Sequence, residues 1–140
     1  MTGAATFWPM FAVRAAPDPL RRFAAVFAGA AVGTAGRIVV AAAVAGAGWA
    51  SPTATVVVNL AGAFVLGWFV GWRDRRPGPG RILVTFWGIG MLGAFTTFAG
   101  FAKDIVQIAG DRWLGALVYG VGSILVGVAV ATAGIALGRR

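Results

Sequence analysis

Gly93-Ala94-Phe95-Thr96-Thr97-Phe98-Ala99-Gly100-Phe101 sets two adjacent threonines, three phenylalanines and two glycines in the middle of an apolar stretch long enough to cross a membrane. A helix facing lipid has no use for paired hydroxyls or for glycines, which weaken it. The segment reads as a break in a membrane helix, where backbone carbonyls and side chains face something other than lipid.

The surrounding chain supports that setting. Its 140 residues are 59% hydrophobic and 11% charged, a membrane composition. Four runs, at 23–50, 53–72, 82–102 and 113–137, are long enough to cross roughly 30 Å of hydrocarbon at about 1.5 Å per residue. The predicted fold is an all-α integral membrane protein of four transmembrane helices, the third broken near its middle. One membrane domain, residues 20–140, follows an N-terminal tail of residues 1–19. The first run is not a signal peptide, because it exceeds the usual core of about 7 to 15 apolar residues and carries Arg37 near its middle.

Composition also removes several chemistries. The chain has no cysteine, histidine or glutamate, and its four acids, Asp18, Asp74, Asp104 and Asp111, are expected at or beyond the ends of spans. A hydrolase, a zinc site and a proton-driven antiporter all lack their parts, and the chain is not expected to be an enzyme. The net charge of +8 is a matter of topology. Both termini and the loop joining spans two and three share one side, with Arg14, Arg21, Arg22, Arg73, Arg75, Arg76, Arg81, Arg139 and Arg140, nine cations. The other side holds two, Lys103 and Arg112. Basic residues collect in cytoplasmic loops, so both termini are expected in the cytoplasm.

The tail contains Pro9, Pro17 and Pro19 and has two readings, a surface segment resting on Phe7, Trp8 and Phe11 or a disordered one. The loop Arg73-Asp74-Arg75-Arg76-Pro77-Gly78-Pro79-Gly80-Arg81 is a polar turn and topology anchor. Gly88-Ile89-Gly90-Met91-Leu92-Gly93 fits the dinucleotide pattern G-x-G-x-x-G but lies inside an apolar span with no strand before it, so it is a decoy. Gly29 and Gly33, Gly67 and Gly71, and Gly134 and Gly138 are each four apart, the spacing that lets membrane helices approach closely.

Arg37 is the one charge inside a span, costing at least about 2.5 kcal/mol if left in lipid. It either attracts anions at a vestibule or serves there as a structural counter-charge, or it snorkels to a headgroup. Thr55, Asn59 and Gly62 fall on one face of the second span, and Tyr119 and Ser123 repeat the i, i+4 spacing in the fourth. Phe98 and Phe101, three apart, stack on one face of the third. A phenylalanine ring has a positive edge that suits a small anion, whereas carbonyls freed at a break suit a cation.

Taken in order, these motifs resemble the CrcB/Fluc family of small bacterial fluoride channels. Gly29-x-x-x-Gly33-x-x-x-Arg37 is similar to its first-span signature, and Val58-Asn59-Leu60-Ala61-Gly62-Ala63-Phe64-Val65-Leu66-Gly67 to its V-N-x-x-G-x-F-x-x-G. Gly90-Met91-Leu92-Gly93-Ala94-Phe95-Thr96-Thr97-Phe98 matches G-x-x-G-x-x-T-T-F, and Tyr119 with Ser123 fits the fourth span. The resemblance implies an antiparallel dimer with two narrow fluoride pores in the bacterial inner membrane, lowering cytoplasmic fluoride by passive efflux. It implies a structural sodium ion at the dimer centre, held by main-chain carbonyls of Gly93 and Thr96. Phe98 and Phe101 match the phenylalanines that contact fluoride, Asn59 matches the pore asparagine, and Thr55, Tyr119 and Ser123 match polar lining positions.

The chain also departs from the pattern. The family continues T-T-F-S-T-F-S-x-E, and here Thr96-Thr97-Phe98-Ala99-Gly100-Phe101-Ala102-Lys103-Asp104 lacks both hydroxyls between the phenylalanines and carries aspartate for glutamate. A charge bias of nine against two also disfavours insertion both ways, which an antiparallel homodimer requires. The expectation is therefore a subunit that pairs with an oppositely oriented paralogue, with a weakly conducting or scaffold subunit as the alternative. A small four-span exporter is a third reading, and it lacks its first-span carboxylate.

Overall fold

The structure, a computed structural model, describes residues 18–49, 51–75 and 80–140. Apart from Asp18 and Pro19, the expected N-terminal tail lies outside these residues, as do 76–79 of the polar loop. The described chain is helical, with four membrane-capable spans and no strand.

Helix α1, Pro19–Gly46, starts where its residues can satisfy a helix end. The Asp18 carboxylate accepts the Leu20 N–H at 3.1 Å, and Pro19 occupies the first turn, where no donor is needed. It stops short of the expected residue 50 because Gly48 turns the chain with φ of 77°, a conformation open to glycine. Helix α2, Ser51–Arg75, overruns its expected end by one turn, and Arg73 and Arg75 there complement the carbonyl end of the helix dipole. Helix α6, Trp113–Gly138, matches its expected range to within a residue.

The third span is the complicated one. A single turn, α3 (Arg81–Val84), runs into a π-helical stretch, Thr85–Leu92, then α4 (Gly93–Phe95) and, after an interruption, α5 (Phe98–Asp111). The span is bent by 19°. The sequence predicts its end at residue 102, but the membrane-capable helix reaches Asp111. Lys103 and Asp104 had marked the end; helix continuity is set by backbone bonding and by Ile105, which packs on α6 beside Gly120. Asp104 is thus corrected from a residue at a span's end to one within α5, 1% exposed.

Small residues decide how the spans pack. α2 lies along α6, and α1 along the π-helical stretch and α4. A Cβ on Gly67 would overlap the Ala131 carbonyl, one on Gly71 the Ile135 carbonyl, and one on Gly138 the Trp68 carbonyl. The facing residue numbers rise together, so spans two and four run parallel. Gly29 and Gly33 meet the Phe86 and Met91 carbonyls in the same parallel sense, and a Cβ on Gly90 would lie 2.7 Å from the Val26 carbonyl. All three glycine pairs are therefore packing residues, and the dinucleotide look-alike is a helix contact. At one end of the bundle Arg139 bonds Asp74 at 2.8 Å, and Arg21 lines the same cavity as Gly80, so chain ends and second loop share a side.

Large apolar side chains point outward, among them Phe23, Phe27 and Val39 on α1 and Val118, Ile124 and Leu125 on α6. That inversion fits a protein whose surroundings are hydrocarbon.

Gly67→Val is expected to lower the melting temperature in detergent sharply, at or above the usual overpacking cost of about 1–3 kcal/mol, because a carbonyl backbone cannot yield. Gly110→Ala, with open space around its Cβ position, is expected to leave melting unchanged or slightly raised.

Candidate functional site at the break of the third span

The interruption falls on the two threonines. Thr96 has φ −75° and ψ 156° and Thr97 φ −140° and ψ 111°, so two residues run extended between α4 and α5. Extended backbone inside a membrane-capable span leaves polar groups in need of partners. α2 supplies them.

Asn59 Oδ1 accepts the Thr97 N–H at 2.8 Å, and its Nδ2 donates to the Thr97 carbonyl at 3.2 Å. One carboxamide thus holds both ends of a single residue's backbone. Thr97 in turn caps α5, its hydroxyl oxygen accepting the Gly100 N–H at 3.0 Å, while its carbonyl also receives the Phe101 N–H at 3.4 Å. The Thr96 N–H and hydroxyl both donate to the Leu92 carbonyl at 3.1 Å.

The end of α4 leaves the carbonyls of Gly93, Ala94, Phe95 and Thr96 without their helical donors, and at two of them the bonds just described show where the donor has gone. In a continuous helix the Thr97 N–H would close onto Gly93 and the Gly100 N–H onto Thr96. Asn59 and the Thr97 hydroxyl have taken those donors, so the Gly93 and Thr96 carbonyls are released. Gly93 is exposed, with nothing within 4 Å of its Cβ position. Carbonyls without donors are hard oxygen groups that suit a cation.

The second-span track faces the break throughout. A Cβ on Gly62 would overlap the Thr96 methyl, so the absence of a side chain there seats the break. Buried Thr55 has its hydroxyl oxygen 3.6 Å from where a Gly100 Cβ would lie. Gly100, in place of the family's hydroxyl residue, thus looks onto the Thr55 and Thr97 hydroxyls.

Beyond the break the aromatic residues form a short stack. Phe98 and Phe101 have centroids 6.2 Å apart and tilted by 48°, and Phe101 stacks on Tyr119 at 5.7 Å and 28°. Phe98 is 82% exposed, projecting from the single chain. The Tyr119 hydroxyl donates to Asp104 Oδ2 at 3.3 Å, and Ser123, one turn along α6, is half-buried. The structure therefore brings Thr55, Asn59, Gly93, Thr96, Phe98, Phe101 and Tyr119 to one region. Arg37 is half-buried on α1, and among the described residues no hydrogen bond or ion pair ties it to the break.

Sequence reasoning missed the buried position of Asp104, which it expected at or beyond the end of a span. The signal was available in Phe101, Asp104 and Ile108, whose spacing puts them on one helix face.

A family model described as CrcB-like protein, Camphor Resistance (CrcB), matches residues 24–135. The chain belongs to the CrcB family. A relative from Leifsonia xyli subsp. xyli, named fluoride-specific ion channel FluC 2, is 39% identical over 81% of this chain and 80% of its own. The FluC proteins of Caulobacter vibrioides and of Methylobacterium nodulans are each 34% identical over 82% of this chain, covering 93% and 94% of their own lengths. The names describe ion channels, not enzymes, and CrcB membership together with four membrane-capable helices makes this a multi-pass membrane protein.

Tyr119→Phe is expected to lower thermal stability by about 0.5–1.5 kcal/mol, the net worth of one hydrogen bond, with the ring stack retained. Tyr119→Ala is expected to cost more, because it also removes the stack; fluorescence-detected melting compares the two.

Proposed function

We propose that this chain is a subunit of a fluoride-selective channel that lets fluoride leave the cytoplasm passively. The observation that carries the reading is the break itself, where Asn59 fixes the backbone and Phe98 and Phe101 stand immediately beyond. Fluoride sheds its hydration only where other groups replace the lost water contacts. Phenylalanine edges offer weak positive contact and exclude cations, and Thr55, Tyr119 and Ser123 are proposed as polar lining along the route, the Tyr119 proton itself being held by Asp104. Asn59 keeps one amide hydrogen beyond the bond to Thr97, which suits it to donate to the ion as well.

Gly93 and Thr96 are proposed to hold a structural sodium ion by their released carbonyls. Bound there, the ion supplies positive charge against carbonyl dipoles. Two carbonyls are too few for a hard cation, and the open face at Gly93 suits a second subunit supplying two more. This supports an antiparallel dimer with the ion on its axis, and the exposure of Phe98 supports a pore wall shared between subunits. The membrane is proposed to be the bacterial inner membrane, with both termini cytoplasmic.

A second reading concerns the partner. The cation bias of nine to two, and the missing hydroxyls at Ala99 and Gly100, favour a heterodimer with an oppositely oriented paralogue, in which this chain conducts weakly or acts as a scaffold.

Fluoride-electrode recording from liposomes is expected to show fluoride efflux and no chloride efflux, with Phe98→Ile and Phe101→Ile each lowering flux by at least about tenfold, or about 1.4 kcal/mol. Absence of flux both alone and with a partner of reversed bias would leave the scaffold reading. Tags on both termini of the chain expressed alone are expected to report one cytoplasmic population; a substantial periplasmic population, or strong flux from the purified chain alone, would refute the heterodimer.

A further inference from the structure

We propose that Asn59 is the positioning residue of the cation site, holding the break open so that the Gly93 and Thr96 carbonyls remain available as ligands. This rests on the sodium reading above and adds to it a cause within the chain.

The argument is one of donor competition. A helix carbonyl is most available to a metal where its own amide donor has been drawn away, since both lone pairs are then open. Reforming the missing turn would return the Thr97 N–H to Gly93, regaining a helical bond and hiding the carbonyl. Asn59 prevents this by engaging both polar groups of Thr97, at 2.8 Å and 3.2 Å. The extended conformation it fixes also places the Thr97 hydroxyl where it takes the Gly100 N–H, which releases Thr96. One side chain on the second span therefore accounts for the donors lost at both Gly93 and Thr96. Gly62, one turn along, leaves room for the displaced Thr96. Because Asn59 is also on the proposed fluoride route, cation binding and pore geometry share a residue. Each should then bias the other.

Melting temperatures of purified protein in sodium and in potassium chloride test the idea, together with hydrogen exchange of the peptide containing Thr97. Wild type is expected to melt higher in sodium, with exchange at Thr97 slowed about tenfold relative to potassium. Asn59→Leu, close in size but without hydrogen bonds, is expected to lose the sodium-dependent shift, while Asn59→Asp, which keeps the acceptor for the Thr97 N–H, retains part of it. Val58→Ala, which destabilises a neighbouring buried position, is expected to melt lower in both salts yet keep the shift, separating positioning from stability.

A wild type that melts equally in both salts overturns the sodium reading, and this inference with it. A wild type that shows the shift, with an Asn59→Leu variant that keeps it, overturns the inference alone. Should Asn59→Leu fail to fold, exchange in wild type still decides: protection at Thr97 that is indifferent to sodium despite a melting shift refutes the coupling.

Discussion

A backbone amide without a partner is costly in any protein interior and more so in hydrocarbon, where water cannot take its place. The third span of this protein departs from helical bonding at Thr96 and Thr97, and the pair of hydrogen bonds from Asn59 makes that departure tolerable. The remaining features of the site follow from it. Thr97 becomes a cap, α5 begins anew with Phe98 in its first turn, and the carbonyls of Gly93 and Thr96 lose their helical donors.

Holding Asn59 against the break requires the spans to lie close and in fixed register. Glycine supplies this. α2 is locked to α6 through Gly67, Gly71, Gly134 and Gly138, and α1 is locked to the first half of the third span through Gly29, Gly33 and Gly90. Helices in a membrane gain little from apolar burial against one another, so close backbone contact takes over the role that a hydrophobic core plays in water. The two halves of the third span then have different neighbours, α1 before the break and α6 after it.

The aromatic and acidic residues beyond the break show a similar economy. Asp104 is nearly inaccessible yet bonded to Tyr119, whose ring covers Phe101. Phe98, by contrast, points away from its own chain. A subunit that holds one phenylalanine in a stack and exposes the other is suited to sharing a pathway with a second subunit, in keeping with the function proposed for this member of the CrcB family.

The sequence by itself determined the number of spans, a break somewhere within residues 93–101, the close-packing glycines and the family resemblance. Each depends on local composition or short spacing: apolar length, hydroxyls amid phenylalanine, glycines four apart. It also placed Thr55, Asn59 and Gly62 on one face, since helical periodicity is fixed at about 3.6 residues. What that face meets depends on a contact across 38 residues of chain, between Asn59 and Thr97, and no local pattern encodes it. The same limit governed Asp104. Read along the chain, its charge signalled the end of a span; only tertiary structure decides that α5 runs on to Asp111, because a helix ends where backbone bonding fails, and a carboxylate can be buried once Tyr119 from another span reaches it.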